Sequence, residues 1–139
     1  MRLFLAVTLL WLTFAPGDCR AESPADRAAI RDVITRQIEA FRQDDATAAY
    51  SFASPSIQRQ MGTAERFLGL VREHYQPLYR PSSTVFGGLV TEDGQIVQAV
   101  DVVGLDGRAA RALYSMEQEP DGAWRISGCV LTVSETLAT

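Results

Sequence analysis

The stretch that decides the fold is residues 91–131, TEDGQIVQAVDVVGLDGRAARALYSMEQEPDGAWRISGCVL. Three Asp-Gly pairs, Asp93-Gly94, Asp106-Gly107 and Asp121-Gly122, separate runs in which β-branched and polar residues alternate. An Asp-Gly pair between alternating runs is a strong hairpin signal, because both residues tolerate the positive φ that a tight turn requires. With the residues from Ser82 onward, the stretch predicts antiparallel strands near 83–92, 95–105, 108–119 and 123–133.

The turn positions also predict the register and the two faces of this sheet. Two-residue turns at the first two Asp-Gly pairs put Leu105 opposite Arg108, and a three-residue loop is expected at the third pair. Side chains alternate along each strand, so this register predicts one face that packs on helices. Its members are Phe86, Val90, Val97, Ala99, Asp101, Val103, Ala112, Tyr114, Met116, Trp124, Ile126 and Val130. Asp101 is the charged member, and a one-residue slip would move it to the other face.

The opposite face is predicted to mix charged residues with apolar ones. Its charged members are Arg111, Glu117 and Arg125. Its apolar members are Val85, Leu89, Ile96, Val100, Val102, Leu113 and Leu131. A sheet face in contact with water normally alternates more cleanly. The face therefore suits a homodimer interface, although cover by the C-terminal tail or isolated surface apolar residues would suit it equally.

Helical periodicity precedes the strands. Residues 23–26, Ser-Pro-Ala-Asp, are typical of a helix N-terminus, and apolar residues at helical spacing continue to about Arg42. A second short helix is expected over 46–53, ended by Ser54-Pro55. A third begins after Thr63, and its apolar stripe is Phe67, Leu70, Val71, Tyr75 and Leu78. The order predicts an α+β fold in which N-terminal helices pack on a curved four-stranded antiparallel sheet.

Residues 1–21 have the layout of a secretory signal peptide. Arg2 precedes an apolar run over 3–14, and small residues, Cys19 and Ala21, stand at the −3 and −1 positions of a cleavage site. The run is shorter than the ~20 residues that a spanning helix needs. We expect cleavage after about Ala21 and a single domain over 22–139 in the periplasm or outside the cell. A retained anchor and a lipid-modified Cys19 are the disfavoured alternatives.

Composition excludes several classes of function. The chain has 139 residues, a net charge of −4 and 47% hydrophobic residues, which suits one soluble domain and not a basic nucleic-acid binder. All 13 basic residues are Arg, so lysine-dependent Schiff-base or P-loop chemistry is excluded. The shortage of His and Cys predicts no metal site, and no cofactor fingerprint is found. We expect neither nucleic acid nor, after cleavage, a membrane as a partner.

Several segments resemble a bacterial family catalogued only as domain of unknown function 4864. They are IEAFRQDDATAAYSFASPSIQ (38–58), FLGLVREHYQPLYRP (67–81) and ALYSMEQEPDGAWRISGCVL (112–131). The resemblance implies the cone-shaped nuclear transport factor two-like fold, which ketosteroid isomerases and SnoaL-like proteins share. It implies no activity, because function on this fold ranges from isomerases to binding modules.

Asp101 is the sharpest candidate for chemistry. On an apolar face its pKa would be raised, as suits a general base. The resemblance implies a Tyr donor beside such an Asp, and Tyr114 lies diagonally across the adjacent strand. His74, the single histidine of the chain, projects onto the predicted buried stripe and is a second acid–base candidate. Each of these residues also has a purely structural interpretation.

Two functions follow from these residues. The favoured one is a non-catalytic exported module that binds a small apolar ligand or a protein partner, with Tyr50, Phe86, Trp124 and Met116 against the ligand. The alternative is an isomerase, dehydratase or cyclase that uses Asp101 as its base. Cys129 is expected to be a small buried thiol without a catalytic role.

Overall fold

The computed structural model describes residues 23–133, so the predicted signal peptide and residues 134–139 lie outside it. Helices come first in the chain, and strands follow. The helices are α1 (Pro24–Arg42), α2 (Ala46–Ser51), α3 (Pro55–Met61), α4 (Ala64–His74) and α5 (Gln76–Tyr79). The strands are β1 (Pro81–Glu92), β2 (Gln95–Gly104), β3 (Ala109–Gln118) and β4 (Trp124–Val133). The described strands form one antiparallel sheet in the order β1-β2-β3-β4, which confirms the predicted α+β architecture.

The helix starts follow from the capping residues. Ser23 and Asp26 form a reciprocal capping box at the start of α1. Asp45 caps α2 as expected, accepting a hydrogen bond from the Ala48 amide at 3.0 Å. α3 was not predicted, because Ser54-Pro55 was interpreted only as a helix end. The same pair also starts a helix, since the Ser54 hydroxyl accepts from the Ile57 amide and Pro55 occupies the first turn.

The sheet departs from prediction at the β2–β3 turn. Gly104 pairs with Arg108, its amide donating to the Arg108 carbonyl at 2.9 Å, so the loop has three residues and not two. Asp106 keeps a negative φ, and Gly107 alone in this loop adopts a positive one, 80°. The register therefore slips by one residue, and Asp101 pairs with Arg111. The inward residues of β2 are Gln98, Val100, Val102 and Gly104, so the prediction that Val97, Ala99, Asp101 and Val103 face the helices is wrong.

The other two turns have the predicted pairing, and later irregularities change the faces beyond them. Glu92 pairs with Gln95 and Glu117 with Arg125, as expected. A register shift between Phe86 and Leu89 leaves Phe86 against the core but turns Val90 to solvent, at 54% exposure. A second shift after Ile126 leaves Val130 62% exposed and places Leu131 against the core instead. The predicted inward positions of Ala112, Tyr114, Met116, Trp124 and Ile126 are confirmed.

The core consists of two apolar clusters. The larger cluster joins α1 and α5 to the inner face of the sheet: Ile30, Ile34, Ile38, Leu78, Val100, Val102, Ala110, Ala112, Tyr114, Met116, Trp124 and Ile126. The smaller cluster lies among α1, α2 and α4: Ala40, Phe41, Ala49, Phe67, Leu68 and Val71. None of the helices described within residues 23–133 has both the length and the hydropathy required to cross a membrane.

Candidate functional site

A half-enclosed cavity of about 110 Å³ is lined by residues of both core clusters. We call it the inter-cluster cavity. Its apolar lining is Phe41, Ala53, Ile57, Met61, Phe67, Leu70, Val71, Leu78 and Ile126. Its remaining described lining residues are Gln37, Tyr75, Tyr114, Gly128 and Cys129. The cavity therefore presents a mainly hydrocarbon surface with a few neutral polar groups.

Two of these polar groups are held by backbone carbonyls. The buried Gln37 side chain donates from Nε2 to the Ala49 carbonyl at 3.1 Å, which ties α1 to α2. The Tyr75 hydroxyl donates to the Cys129 carbonyl at 3.3 Å, which ties the end of α4 to β4. These hydrogen bonds position the cavity wall and use one donor of each side chain.

The Tyr114 hydroxyl differs from them because it is buried with no hydrogen-bond partner in the described part of the chain. Its residue is almost fully buried on the inner face of β3, as the sequence predicts. Burial raises the pKa of this phenol well above 10, so it remains protonated at neutral pH. A buried unpaired hydroxyl is unfavourable, by about 1–3 kcal/mol. Tyr114 is thus the polar group of the cavity whose hydrogen bonding is incomplete.

Cys129 lies across from Tyr114 on β4, and not across from Leu113 as the expected register would place it. Burial raises the pKa of its thiol to about 12. A nucleophilic cysteine needs an accessible, electropositive setting that stabilises the thiolate. The setting of Cys129 does the opposite, which agrees with the expected structural thiol.

Asp101 is not in the cavity, and its predicted placement is wrong. The carboxylate lies on the outer face of the sheet in a bidentate pair with Arg111, with Nε–Oδ1 at 2.8 Å and Nη2–Oδ2 at 3.1 Å. This hydrogen bonding lowers the pKa of Asp101, whereas a general base would need it raised. The error comes from the three-residue β2–β3 loop, which exchanges the two faces of β2.

His74 is also misplaced by the helical projection. It is the last residue of α4, and its side chain is exposed beside Glu73, with Nε2–Oε2 at 3.9 Å. The α4 stripe is buried through Phe67 and Val71 but ends before His74, because the chain turns at Tyr75 into the separate helix α5. Asp101, Tyr114 and His74 therefore do not form one site.

The four predicted ligand contacts lie outside the described lining of the inter-cluster cavity. Trp124 and Met116 are core residues on the inner face of the sheet. Phe86 is half-buried, with the Arg31 guanidinium 5.3 Å from its ring centroid. The Tyr50 ring packs 5.8 Å from Phe67, and its hydroxyl donates to the Gln58 carbonyl.

Sequence reasoning missed several residues that do line the cavity. Ile57 and Met61 lie on the unpredicted helix α3, and their spacing of four residues was a signal that could have identified it. Gln37 interrupts the apolar spacing of α1 and carries no motif of its own. Among residues 23–133, no group of three or more His, Cys, Asp or Glu side chains is placed to hold a metal ion.

Comparisons with known proteins are consistent with this architecture. Among solved structures, the chain is similar to an NTF-2 like protein of unknown function from Burkholderia xenovorans LB400, with a TM-score of 0.47 and 16% identity. That similarity covers 81% of this chain and 88% of the other. No curated protein matches the sequence significantly. A family model described as "Domain of unknown function (DUF4864)" matches residues 23–139. Because this match spans most of the chain, the protein belongs to the DUF4864 family.

Proposed function

We propose that this protein is a non-catalytic module that binds a small, largely apolar molecule in the inter-cluster cavity. The observation that carries the proposal is the buried, unpaired Tyr114 hydroxyl in the wall of an otherwise apolar cavity. Such a hydroxyl is costly in the free protein. A ligand with a hydrogen-bond acceptor would satisfy it and gain affinity from doing so.

The cavity volume limits the size of that ligand. At about 110 Å³ the cavity is smaller than the roughly 300–1,000 Å³ of pockets that hold drug-sized molecules. An engineered apolar cavity of about 150 Å³ in another protein accommodates benzene. The expected ligand is therefore about one ring or a short branched chain in size, with one carbonyl or ether oxygen.

The electrostatics of the lining favour binding over acid–base catalysis. No Asp, Glu, His or Arg is found among the described lining residues, and the two groups with shifted pKa values, Tyr114 and Cys129, are both held neutral. The alternative enzyme mechanism relied on Asp101, which lies on the opposite face of the sheet, paired with Arg111. The base of that mechanism is therefore missing from the cavity wall as described.

A pair of matched probes tests the proposal. Cyclohexanone has an acceptor oxygen, and methylcyclohexane has a similar shape without one. We expect both to shift the NMR signals of cavity residues saturably, with cyclohexanone binding more tightly. Leu70 is half-buried in the cavity wall, so Leu70→Trp should fill the space and abolish both titrations. Val90→Trp, on the exposed outer face, is the matched control and should bind normally. Absence of saturable shifts at cavity residues would refute the proposal.

The same proposal includes a second copy of the chain as a partner through the outer sheet face. Support comes from the exposed apolar side chains Val85, Val90, Leu113 and Val130, which flank the Asp101–Arg111 pair. This face differs in membership from the predicted one, yet it is still more apolar than a sheet face in contact with water normally is. Light scattering should show a dimer that Leu113→Glu converts to a monomer. Leu105→Glu, at an exposed turn, is the control, and a wild-type monomer at high concentration would contradict the dimer.

The proposal also places the protein outside the cytoplasm. The support is the layout of residues 1–21, with an apolar run followed by small residues before Glu22. Expressed from the full sequence in a Gram-negative host, the protein should be recovered from the periplasmic fraction with a mass that corresponds to a start at Glu22. Recovery of the full-length mass from the cytoplasm would contradict export.

A further inference from the structure

A second concave region, which we call the arginine groove, lies where the end of α4 and α5 meet the β2–β3 turn. It has a volume of about 400 Å³. The residues that define it here are Arg72, Tyr79, Arg80, Leu105, Arg108 and Val133. It shares no described lining residue with the inter-cluster cavity, so the two are separate sites. Its volume is within the range of about 300–1,000 Å³ typical of ligand-binding clefts.

The groove concentrates positive charge on an acidic protein. Arg72, Arg80 and Arg108 line it, whereas Asp106 is the one acidic residue among its described lining. The whole chain has a net charge of −4. A concave patch of one sign raises the local concentration of ions of the opposite sign. The patch therefore selects for anions.

Two of the guanidinium groups are held in place by Asp44 and Tyr79. The Arg80 Nη2 is 3.0 Å from Asp44 Oδ2, and its guanidinium carbon is 4.1 Å from the Tyr79 ring centroid. The Arg72 Nη2 is 3.5 Å from Asp44 Oδ1, and its Nε donates to the Tyr79 oxygen at 3.4 Å. The Tyr79 hydroxyl in turn donates to Asp44, which lowers the pKa of that carboxyl. Guanidinium groups already fixed in position lose less entropy when an anion binds.

Arg108 approaches the groove from the other side with its donors available. Within the described residues its guanidinium contacts only Asp106, with Nε–Oδ2 at 3.7 Å, which is too long for a hydrogen bond. Its side chain is 72% exposed, although its backbone is fixed, because the Arg108 amide donates to Asp106 Oδ1 at 3.0 Å. A guanidinium has five N–H donors in a planar fork. Arg108 can therefore turn those donors toward a bound anion without changing the fold.

Apolar side chains lie beside these charges. Leu105, at the tip of the β2–β3 turn, is 76% exposed, and Val133 is 49% exposed. Both line the groove with Pro77 and the Tyr79 ring. Exposed large apolar residues next to a charged patch indicate a ligand that has an apolar part as well as a charge.

We propose that the arginine groove binds an amphiphilic oxyanion, a phosphate monoester or carboxylate joined to a short apolar chain. The oxyanion lies between Arg72 and Arg108, whose forks match carboxylate and phosphate geometry in bidentate fashion. The apolar chain covers Leu105 and Val133. The site is additional to the proposed ligand of the inter-cluster cavity and does not depend on it.

The experiment titrates the full chain with hexyl phosphate, hexanoate, inorganic phosphate and hexanol, and follows backbone amide shifts over residues 104–109. Hexyl phosphate or hexanoate should shift these amides saturably and bind at least tenfold more tightly than inorganic phosphate or hexanol. The Arg108→Gln variant should weaken binding about tenfold, the effect expected from loss of one charge-assisted pair. Equal binding by all four probes, or no saturable shift with any of them, would overturn the proposal.

Matched variants separate the groove from general charge effects. Arg36→Gln removes an arginine that pairs with Asp32 on the exposed surface of α1 and should leave binding unchanged. Arg108→Gln should unfold at the wild-type temperature, because its guanidinium makes no hydrogen bond in the described chain. If both variants weaken binding equally, the groove is refuted. Co-sedimentation with phosphatidic acid vesicles that Arg108→Gln abolishes would identify a lipid headgroup as the source of the oxyanion, and binding of hexyl phosphate without it would identify a free amphiphile; both support the groove.

Discussion

Replacing Tyr114 by Phe should stabilise the protein while it weakens ligand binding. The ring packs in the core cluster and is retained, whereas the hydroxyl is buried and has no partner within residues 23–133. In most proteins, loss of a buried tyrosine hydroxyl is destabilising, because the hydroxyl is hydrogen-bonded. The unpaired state of this one reverses the expected sign.

The magnitude follows from the desolvation of the hydroxyl. Leaving such a group unpaired in the interior costs about 1–3 kcal/mol, and Phe removes that cost at the expense of a very small void. We expect the free energy of unfolding to rise by about 1 kcal/mol. For a domain of this size that rise corresponds to an increase in the melting temperature of roughly 4 °C.

Urea unfolding monitored by the fluorescence of Trp124, which is buried in the same cluster, measures the change. Tyr75→Phe is the matched control, because it removes a hydroxyl that donates to the Cys129 carbonyl at 3.3 Å. That variant should lose about 1 kcal/mol, so the two Tyr→Phe substitutions should have opposite signs. The slope of free energy against urea should be unchanged in both.

Two results would refute this reasoning. A loss of stability in Tyr114→Phe similar to that in Tyr75→Phe would mean that the Tyr114 hydroxyl is hydrogen-bonded. Unchanged affinity of Tyr114→Phe for cyclohexanone would mean that the hydroxyl does not contact the ligand, even if the stability rises. Methylcyclohexane, which has no acceptor, should bind the variant as tightly as it binds the wild-type protein.

Three further predictions concern other residues. Cys129, with a thiol pKa of about 12, should react with iodoacetamide at pH 8 about a thousandfold more slowly than an ordinary thiol in the folded protein, and normally in urea; rapid alkylation of the folded state would contradict its burial. Asp101→Asn should cause a small loss of stability, seen in thermal melts above about pH 4 and absent at lower pH. The reason is that a depressed carboxyl pKa stabilises the fold above the unfolded value of 3.8 and ceases to do so as the pH falls through the folded value; a variant that is destabilised equally at pH 2 would exclude this cause. Val100→Ala should lose about 2 kcal/mol in urea unfolding and Val130→Ala almost nothing, because the first side chain is buried and the second is exposed; the reverse order would mean that the faces of the sheet are assigned wrongly.

The positions of the candidate residues show where sequence reasoning succeeds. Tyr114 was placed correctly because the inward face of β3 follows from an alternation that continues through Ala112 and Met116 without an irregularity. Asp101 was misplaced because its face depended on the length of one loop. His74 was misplaced because helical spacing was extended past the point at which α4 ends.

The sequence by itself determined the order of the elements, the caps of α1 and α2, the positions of the three turns and the pairing next to two of them. These features depend on local chemistry, such as the positive φ of Gly94 and Gly122 or the capping hydroxyl of Ser23. Only the tertiary structure decided which face of β2 is buried. Asp-Gly fits both a two-residue turn, as at Asp93-Gly94, and the last positions of a three-residue loop, as at Asp106-Gly107. The two loops differ by one residue, and one residue exchanges the faces of a strand. The burial of Val100 and Val102 against the helices selects the second loop. The cavity, too, arises only when α3 and α4 pack on β3 and β4, since its lining comes from residues far apart in the chain.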